Sequence, residues 1–388
     1  MTATPPSGAE RLDHIDALRG FALAAVLLVN LRDLSLYGFL SDEARASLPT
    51  AHWDNILGPI LTALIERKAI TIFTLLFGIS FALQLRRVAR GPGFLIFYIR
   101  RLLVLLTIGV VHGFFWFGDV LRYYALMGFF LLPTVRLRPR MLVCVGLLVA
   151  LFPWTLFHPS SGFLNQAALP VDQMAASTLA AFSSGSLSEM LRANISYDLS
   201  IRLMEWSFPM AVLGRLFIGA AIGGSDALVK PKEHTRFWRR VMTITMPIGV
   251  GLTLVASLND DRILPQTLAP IISGTASLSL GLAYIAIFIL LFQLPMWRQW
   301  MSPLIAVGRM ALTNYLLQTF AAIILFYGVG FGIGPRFGLI GTLPFLATIF
   351  VIQIIFSRWW LVRFHFGPVE WIWRSLSYGS LIPMRKSC

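Results

Sequence analysis

The fold is decided by the stretch Gly109-Val-Val-His-Gly-Phe-Phe-Trp-Phe-Gly-Asp-Val-Leu-Arg-Tyr-Tyr124, which places a polar turn between two apolar runs. Residues 102–118 could cross a membrane, and residues 119–135 could cross it back. Each run is about 17 residues and makes a helix of about 25 Å, which barely spans a bilayer. The sequence therefore predicts a tight helical hairpin whose turn, at Gly118 and Asp119, lies at the membrane surface.

The composition of the chain is typical of an integral membrane protein. Hydrophobic residues make up 57% of the 388 residues and charged residues only 13%, whereas a soluble domain carries about 25% charged residues. The apolar residues fall into runs near the length that crosses a bilayer as a helix. We expect an all-α fold, a polytopic bundle of about ten transmembrane helices that forms a single domain over residues 1–388.

Hydropathy places the expected spans along the whole chain. They cover residues 15–31, 69–85, 102–118, 119–135, 141–157, 207–223, 241–257, 271–293, 304–328 and 337–361. Residues 158–206 are expected to form an extracytoplasmic loop. The second half of this loop has apolar residues at helical spacing, which predicts a surface helix.

Basic residues predict the orientation of the bundle. The net charge is +14, and Arg and Lys are concentrated in alternate loops and in the tail 363–388. Because cytoplasmic loops carry the excess of Lys and Arg, both termini and this tail are expected in the cytoplasm. The same pattern argues against nucleic-acid binding. The two cysteines, Cys144 and Cys388, suit neither a structural disulfide nor a metal site, and residues 1–10 lack the basic segment of a cleaved signal peptide.

The polar residues of the hairpin are the first candidates for function, because ionisable groups in hydrocarbon are costly. His112 and Asp119 are seven residues apart and share a helix face if the helix continues through Gly118. A histidine oriented by a carboxylate is the usual arrangement of a general base. A packing histidine beside a helix N-cap aspartate explains the same pair, and the spacing does not separate the two readings.

The first span carries a second polar stripe. Asp16 and Arg19 are three residues apart and can neutralise each other, and Asn30 lies three turns further along nearly the same face. This stripe suits a helix that lines a cavity. An ion pair that anchors the start of the helix explains Asp16 and Arg19 equally well.

The ninth span contains Arg309, Asn314 and Gln318. Asn314 and Gln318 are four apart and lie on one helix face. Arg309 precedes them and could hold an anionic group such as a phosphate, or extend to lipid headgroups. Arg215, in the sixth span, could also bind an anion or extend to lipid headgroups, and the sequence favours neither of these two readings.

Five segments are spread over nearly the whole chain: residues 12–30, 73–83, 109–128, 308–319 (GRMALTNYLLQT) and 367–374 (GPVEWIWR). They resemble the YeiB family of bacterial inner-membrane proteins, which carry the DUF418 domain and have no settled activity. The resemblance implies a multi-pass protein of the bacterial inner (plasma) membrane.

The first span also resembles the first helix of a wider group of membrane acyltransferases. In the acyltransferase-3 enzymes an Arg is followed eleven residues later by a His, but here Arg19 is followed by Asn30. In the heparan-α-glucosaminide N-acetyltransferases this helix ends in Asn, as here, and the reactive His lies in the following outer loop, where this chain has His52. The resemblance thus leaves His112 and His52 as candidates, and His112 is preferred because its segment matches the closer family.

These observations lead to two functional hypotheses. In the first, a membrane acyltransferase moves an acyl group from cytoplasmic acyl-CoA to a small-molecule, glycan or lipid-linked acceptor, with catalytic residues His112, Asp119 or His52 and no tightly bound cofactor. The expected substrate-binding residues are Asp16, Arg19, Asn30, Arg309, Asn314 and Gln318. In the second, the polar stripes line the pathway of a small-solute transporter with a His112–Asp119 proton relay. A non-catalytic scaffold is a third reading, and membrane lipids are expected partners in all of them.

Overall fold

The computed structural model describes residues 12–87, 92–152, 171–204, 207–258 and 268–386, together with Pro265. Within these ranges the regular structure is helical, and the pairing of Phe364 with Arg385 is an isolated bridge outside any strand. The predicted all-α fold is confirmed.

The helices follow one another with short connections. In chain order they are α1 Asp13–Leu34, α2 Asp42–Ala46, α3 Ala51–Leu64, α4 Lys68–Arg87, α5 Pro92–Gly113, α6 Leu121–Gly128, α7 Pro139–Leu151, α8 Val171–Ser183, α9 Leu187–Met204, α10 Ser207–Gly223, α11 Asp226–Val229, α12 Thr235–Leu258, α13 Leu268–Phe292, α14 Pro295–Arg309, α15 Ala311–Phe326, α16 Gly338–Arg363 and α17 Pro368–Tyr378.

Six of the described spans are long and apolar enough to cross a membrane: α1, α3 with α4, α5, α12, α13 and α16. Two bent pairs, α9 with α10 and α14 with α15, pass the same test together and raise the count to eight. The other two expected spans coincide with the shorter apolar helices α6 and α7. α6 is short because the turn before it uses residues that hydropathy alone assigns to the two legs of the hairpin. Residues 153–157 of the span expected at α7 lie outside the described residues.

Residues 304–328, expected as one span, form two helices that meet at an 83° bend. α14 crosses α1 in backbone contact, because a Cβ at Gly308 would overlap the carbonyl oxygen of Asp16 and a Cβ at Gly20 would overlap that of Leu304. α15 then continues as an apolar helix. The bend places Arg309 at the end of α14, off the helix that carries Asn314 and Gln318.

The expected extracytoplasmic segment 158–206 contributes two helices, α8 and α9, and its residues 158–170 and 205–206 lie outside the described residues. The expected surface helix coincides with α9. Its inward side is more polar than the apolar spacing suggests, because Asn194 and Asp198 are buried while Ile195 and Leu199 are exposed.

α4 and α10 also run in backbone contact. A Cβ at Gly78 would overlap the Leu216 carbonyl oxygen, and one at Gly219 would overlap the Leu75 carbonyl oxygen. This approach buries most of α10, including Arg215.

Candidate functional site: a buried histidine network

The site is built on the turn between α5 and α6. α5 ends at Gly113, so the helix does not continue through Gly118, and His112 and Asp119 do not meet as neighbours on one helix face. Trp116 is fully buried in the turn, and a Cβ at Gly118 would overlap its indole ring. The turn brings Asp119 back to His112, so that the Nδ1 and Oδ2 atoms are 2.8 Å apart.

His112 is held on both ring nitrogens in a site that excludes solvent. The exposed fraction is 2% for His112 and 1% for Asp119. Nε2 lies 3.0 Å from Oγ1 of Thr319 on α15, and the ring packs against Tyr315 at 5.1 Å between centroids. If Nδ1–H donates to the Asp119 carboxylate, Nε2 is the nitrogen left to accept a proton. A hydroxyl, an imidazole and a carboxylate in this order form the arrangement of an activated nucleophile or a general base.

Asp119 belongs to a larger network of charges. Its Oδ1 accepts hydrogen bonds from the backbone N (3.1 Å) and Nε (3.2 Å) of Arg122. The other end of the Arg122 guanidinium donates two bonds, of 2.8 and 3.1 Å, to Asp198 on α9. Arg202 donates to Asp198 (2.8 Å) and to the Asp119 carbonyl oxygen (3.2 Å). Two carboxylates thus face two guanidinium groups, and bidentate pairing of this kind fixes geometry as well as charge.

Two glycines of α5, Gly109 and Gly113, make room for Arg122. A Cβ at Gly109 would crowd the backbone N of Arg122, and one at Gly113 would lie 2.5 Å from its Cζ atom. Asn194 donates to the carbonyl oxygens of Gly113 (2.8 Å) and Phe114 (3.0 Å). Its amide therefore satisfies acceptors that the end of α5 leaves free.

Sequence reasoning missed the residues that surround His112 and Asp119. They are Thr319, Arg122, Asn194, Asp198 and Arg202. The spacing of Asp198 and Arg202, four apart on one helix face, is a local signal of an ion pair. Nothing local indicates that α9 packs on the hairpin.

Asn314 and Gln318 form a separate polar cluster with α16. Asn314 Nδ2 donates to Ser357 (2.9 Å), Gln318 Nε2 donates to Gln353 (3.0 Å), and Gln353 donates back to the Asn314 carbonyl oxygen (2.8 Å). Oδ1 of Asn314 and Oε1 of Gln318 are buried without a hydrogen-bond partner among the described residues. These two oxygens remain able to accept a hydrogen bond from a bound group.

The remaining candidates lie away from His112. Arg19 donates to Asp16 (2.7 Å) and Ser80 (2.7 Å), while Arg309 donates to the His365 carbonyl oxygen (3.4 Å). The start of α1 contacts Gly308, so Asp16, Arg19 and Arg309 share one end of the bundle. Thr319 is eight residues into α15, which puts His112 about 12 Å from this end along the helix.

Asn30 and His52 lie outside the His112 network and outside the group formed by Asp16, Arg19 and Arg309. Asn30 is half-buried near the other end of α1, and His52 is exposed on α3, where its ring packs on Trp53. The buried polar residue of α3 is Asp54, which accepts a 2.8 Å bond from the backbone N of Ile340 at the start of α16. Among the described residues, no group of three or more His, Cys, Asp or Glu side chains is arranged to hold a metal ion.

The tail docks against the end of the bundle that holds Arg309. Glu370 accepts hydrogen bonds from the backbone N atoms of Leu312 (2.6 Å) and Thr313 (2.9 Å) and from Thr313 Oγ1 (2.5 Å). The Arg101 guanidinium lies 3.6 Å from the centre of the Trp373 ring, a cation–π contact. Burial raises the pKa of Glu370 above its ordinary value of 4.5, although these hydrogen bonds oppose the shift.

The fold and the buried network define a class, the polytopic helical membrane proteins. Residues 222–380 match the family described as "Protein of unknown function (DUF418)". The chain is 32% identical to the uncharacterized protein YxaH of Bacillus subtilis (strain 168) over 400 residues, which covers 97% of this chain and 96% of YxaH. The chain therefore belongs to the DUF418 family.

Two further relatives match over a similar length. Identity is 29% to the uncharacterized 39.9 kDa protein in the amylase 3′ region of Bacillus acidopullulyticus, over 97% of this chain and 96% of that protein. Identity is also 29% to the uncharacterized protein YeiB of Escherichia coli (strain K12), over 95% of this chain and 96% of YeiB. The resemblance to the YeiB family is thus confirmed. No solved structure matches the chain.

Proposed function

We propose that the protein is a membrane acyltransferase in which His112 acts as the general base. The observation that carries the proposal is the placement of His112 between Asp119 Oδ2 (2.8 Å) and Thr319 Oγ1 (3.0 Å) in a buried position. The carboxylate orients the ring, and the hydroxyl marks the position at which an acceptor hydroxyl or amine would meet Nε2.

The chemistry is the transfer of an acyl group from a thioester. Nε2 of His112 takes the proton of the acceptor while the acceptor oxygen or nitrogen attacks the thioester carbonyl carbon. A C–O or C–N bond forms and the C–S bond breaks. The imidazolium then returns the proton to the departing CoA thiolate. The Arg122 and Asp198 pair keeps Asp119 in place during both steps.

The orientation of the bundle separates the two substrates. The basic loops support a place in the bacterial inner membrane with both termini in the cytoplasm. Acyl-CoA would then enter at the end that carries Asp16, Arg19 and Arg309. A cavity of about 450 Å³ between α4, α7 and α10, with Arg86 in its lining, offers room at that end.

The acceptor would approach from the opposite end, as a small molecule, a glycan or a lipid-linked group. The unpartnered oxygens of Asn314 and Gln318 would position one of the reacting groups, and Asn30 lies toward the acceptor side of α1. His52 receives no part in this proposal, because it is exposed and lies outside the buried network. It therefore serves as the matched control.

The test uses the full chain in nanodiscs of bacterial lipid with radiolabelled acetyl-CoA. We expect the release of CoA and the transfer of label to an extracted lipid or soluble acceptor. His112→Ala should reduce transfer by about 10²- to 10⁴-fold, the usual contribution of a general base, while His52→Ala should keep it. Full transfer by folded His112→Ala protein would overturn the role of His112, and wild-type protein that neither binds nor cleaves acetyl-CoA would overturn the acyltransferase.

The network also supports a second candidate, a small-solute transporter with a proton relay. His112 and Asp119 are the pair that could exchange a proton, and Arg122, Asp198 and Arg202 continue the line of charged side chains. Charged residues inside a membrane mark the pathways of ions and substrates. Purified protein in liposomes would then move protons when a co-transported solute is supplied. Acidification of the liposome interior that depends on His112, without acetyl-CoA cleavage, would favour this candidate over acyl transfer.

A further inference from the structure

Arg215 is a buried cation without a counter-charge. It lies in the middle of α10 and is 6% exposed. Its Nε atom has no hydrogen-bond partner, and no carboxylate of the described residues lies within ion-pair distance of its guanidinium. Burying a charge in this way is strongly unfavourable unless a partner of opposite charge is supplied.

The surroundings of Arg215 add positive charge. The charged or titratable groups that act on it are Arg67, a second cation, and the hydroxyl of Tyr124. Arg67 lies in the turn between α3 and α4, and its side chain is exposed on the surface of the protein. The nearby hydroxyl of Thr74 is bonded to Tyr124 (3.3 Å) and to the Ile70 carbonyl oxygen (2.8 Å). None of these groups neutralises Arg215.

The two arginines of the histidine network are already neutralised. Arg122 and Arg202 pair with Asp119 and Asp198 in the network around His112. Tyr124 connects the two regions, because its hydroxyl is within electrostatic range of both Arg215 and Asp119. An anion beside Arg215 would therefore lie next to the histidine network without competing for its cations.

We infer that Arg215 and Arg67 bind a phosphate group, either free or as a phosphate ester. Arg67 is within electrostatic range of Arg215. Two guanidinium groups suit a phosphate, because its several oxygens can accept hydrogen bonds from both. The Tyr124 hydroxyl can donate a further bond on the side of the His112 network. This site goes beyond the proposed function and would stand if no acyl transfer were found.

The test measures the thermal unfolding of delipidated full-length protein in an uncharged detergent. Inorganic phosphate and phosphatidylglycerol are titrated separately, with chloride at matched ionic strength as the reference. We expect the wild-type Tm to rise with saturation by at least one of them, which also separates a soluble phosphate from a lipid phosphate. Arg215→Gln should abolish the rise, and Arg239→Gln, an exposed arginine of α12, should keep it.

A second variant covers the case in which Arg215→Gln does not fold. Arg67→Gln changes an exposed side chain, and we expect at least tenfold weaker binding of the effective ligand. The inference is overturned if neither phosphate nor phosphatidylglycerol raises the wild-type Tm above the chloride reference. It is equally overturned if Arg215→Gln or Arg67→Gln shows the same titration curve as the wild type.

Discussion

At the scale of single residues, the charged side chains of the His112 network, whose burial is energetically unfavourable, are each paired with a group of opposite charge or a hydrogen-bond partner. His112 and Asp119 are buried together, and Asp119 shares Arg122 with Asp198. The removal of one member would leave a charge without its partner in a region of low dielectric, which costs more than the pair itself contributes. This dependence makes Asp119 the residue whose change should affect both stability and activity.

We expect Asp119→Asn to reduce acyl transfer by about 10²- to 10⁴-fold, because an amide does not fix the ring of His112 as a carboxylate does. The loss of half of the Arg122 pairing should also lower the free energy of unfolding by about 3 kcal/mol. Transfer assays in nanodiscs and thermal unfolding in detergent measure the two effects.

The matched control for this variant is Asp42→Asn. Asp42 pairs with Arg45 on the surface, where ion pairs contribute little. The control should behave as the wild type in both assays. Wild-type transfer by Asp119→Asn would show that Asp119 only packs beside His112.

At the scale of helices, two carboxylates cap helices that they do not belong to. Asp54 of α3 accepts the backbone N–H of Ile340 at the start of α16, and Glu370 of α17 accepts those of Leu312 and Thr313 at the start of α15. Both helices begin inside the protein, where the first N–H groups have no water to bond. The carboxylates therefore stabilise the helix starts and attach α3 and α17 to the bundle.

The buried position of Glu370 predicts a pH dependence. Its pKa is raised by burial above 4.5, so the folded state holds the proton more tightly than the unfolded state. The stability that this proton contributes is full below the unfolded-state pKa and is lost as the pH rises through the folded-state pKa. Gln resembles the protonated side chain at every pH. We therefore expect the Tm of Glu370→Gln minus the Tm of the wild type to increase as the pH is raised from about 5 to about 8.

Thermal unfolding in detergent across this pH range measures the difference between the variant and the wild type. Glu189→Gln, at an exposed position on α9, is the control and should show a constant difference. A Glu370→Gln difference that shrinks with rising pH would contradict the raised pKa.

At the scale of the whole molecule, three distant parts of the chain meet at one site. The hairpin of α5 and α6 supplies His112, Asp119 and Arg122, α9 supplies Asp198, and α15 supplies Thr319. The tail helix α17 closes the opposite end of α15 through Glu370. The His112 network and the tail thus lie toward opposite ends of the bundle. Labelling one residue at each end therefore tests the proposed orientation directly.

We expect a cysteine in place of Ser184, between α8 and α9, to face the outside, and one in place of Ser380, after α17, to face the cytoplasm. Both serines are exposed, and the distribution of Lys and Arg sets the orientation. The background carries Cys144→Ser and Cys388→Ser. A membrane-impermeant maleimide applied to spheroplasts should label the cysteine at position 184 at once, and the one at position 380 only after permeabilisation. The reverse pattern would contradict the orientation.

Sequence alone is enough to predict an all-α membrane bundle, the positions of most of its long helices, and His112 and Asp119 as a candidate pair. These predictions follow from local composition and spacing. A chain that crosses hydrocarbon forms long apolar helices, and an ionisable residue within them is rare because its burial is unfavourable. The same logic indicated the Asp16 and Arg19 pair, which the structure shows in contact.

Tertiary contacts, which the sequence does not show, bring His112 and Asp119 together and complete their network. The turn after Gly113 returns Asp119 to His112, and Thr319 lies 207 residues away from His112 along the chain. The uncompensated charge of Arg215 is also visible only in the fold, because a sequence does not show which carboxylates a cation can reach. Contacts between distant segments depend on how helix faces pack together. The periodicity of apolar residues in a sequence indicates which face of a helix is buried, but not which other helix packs against it.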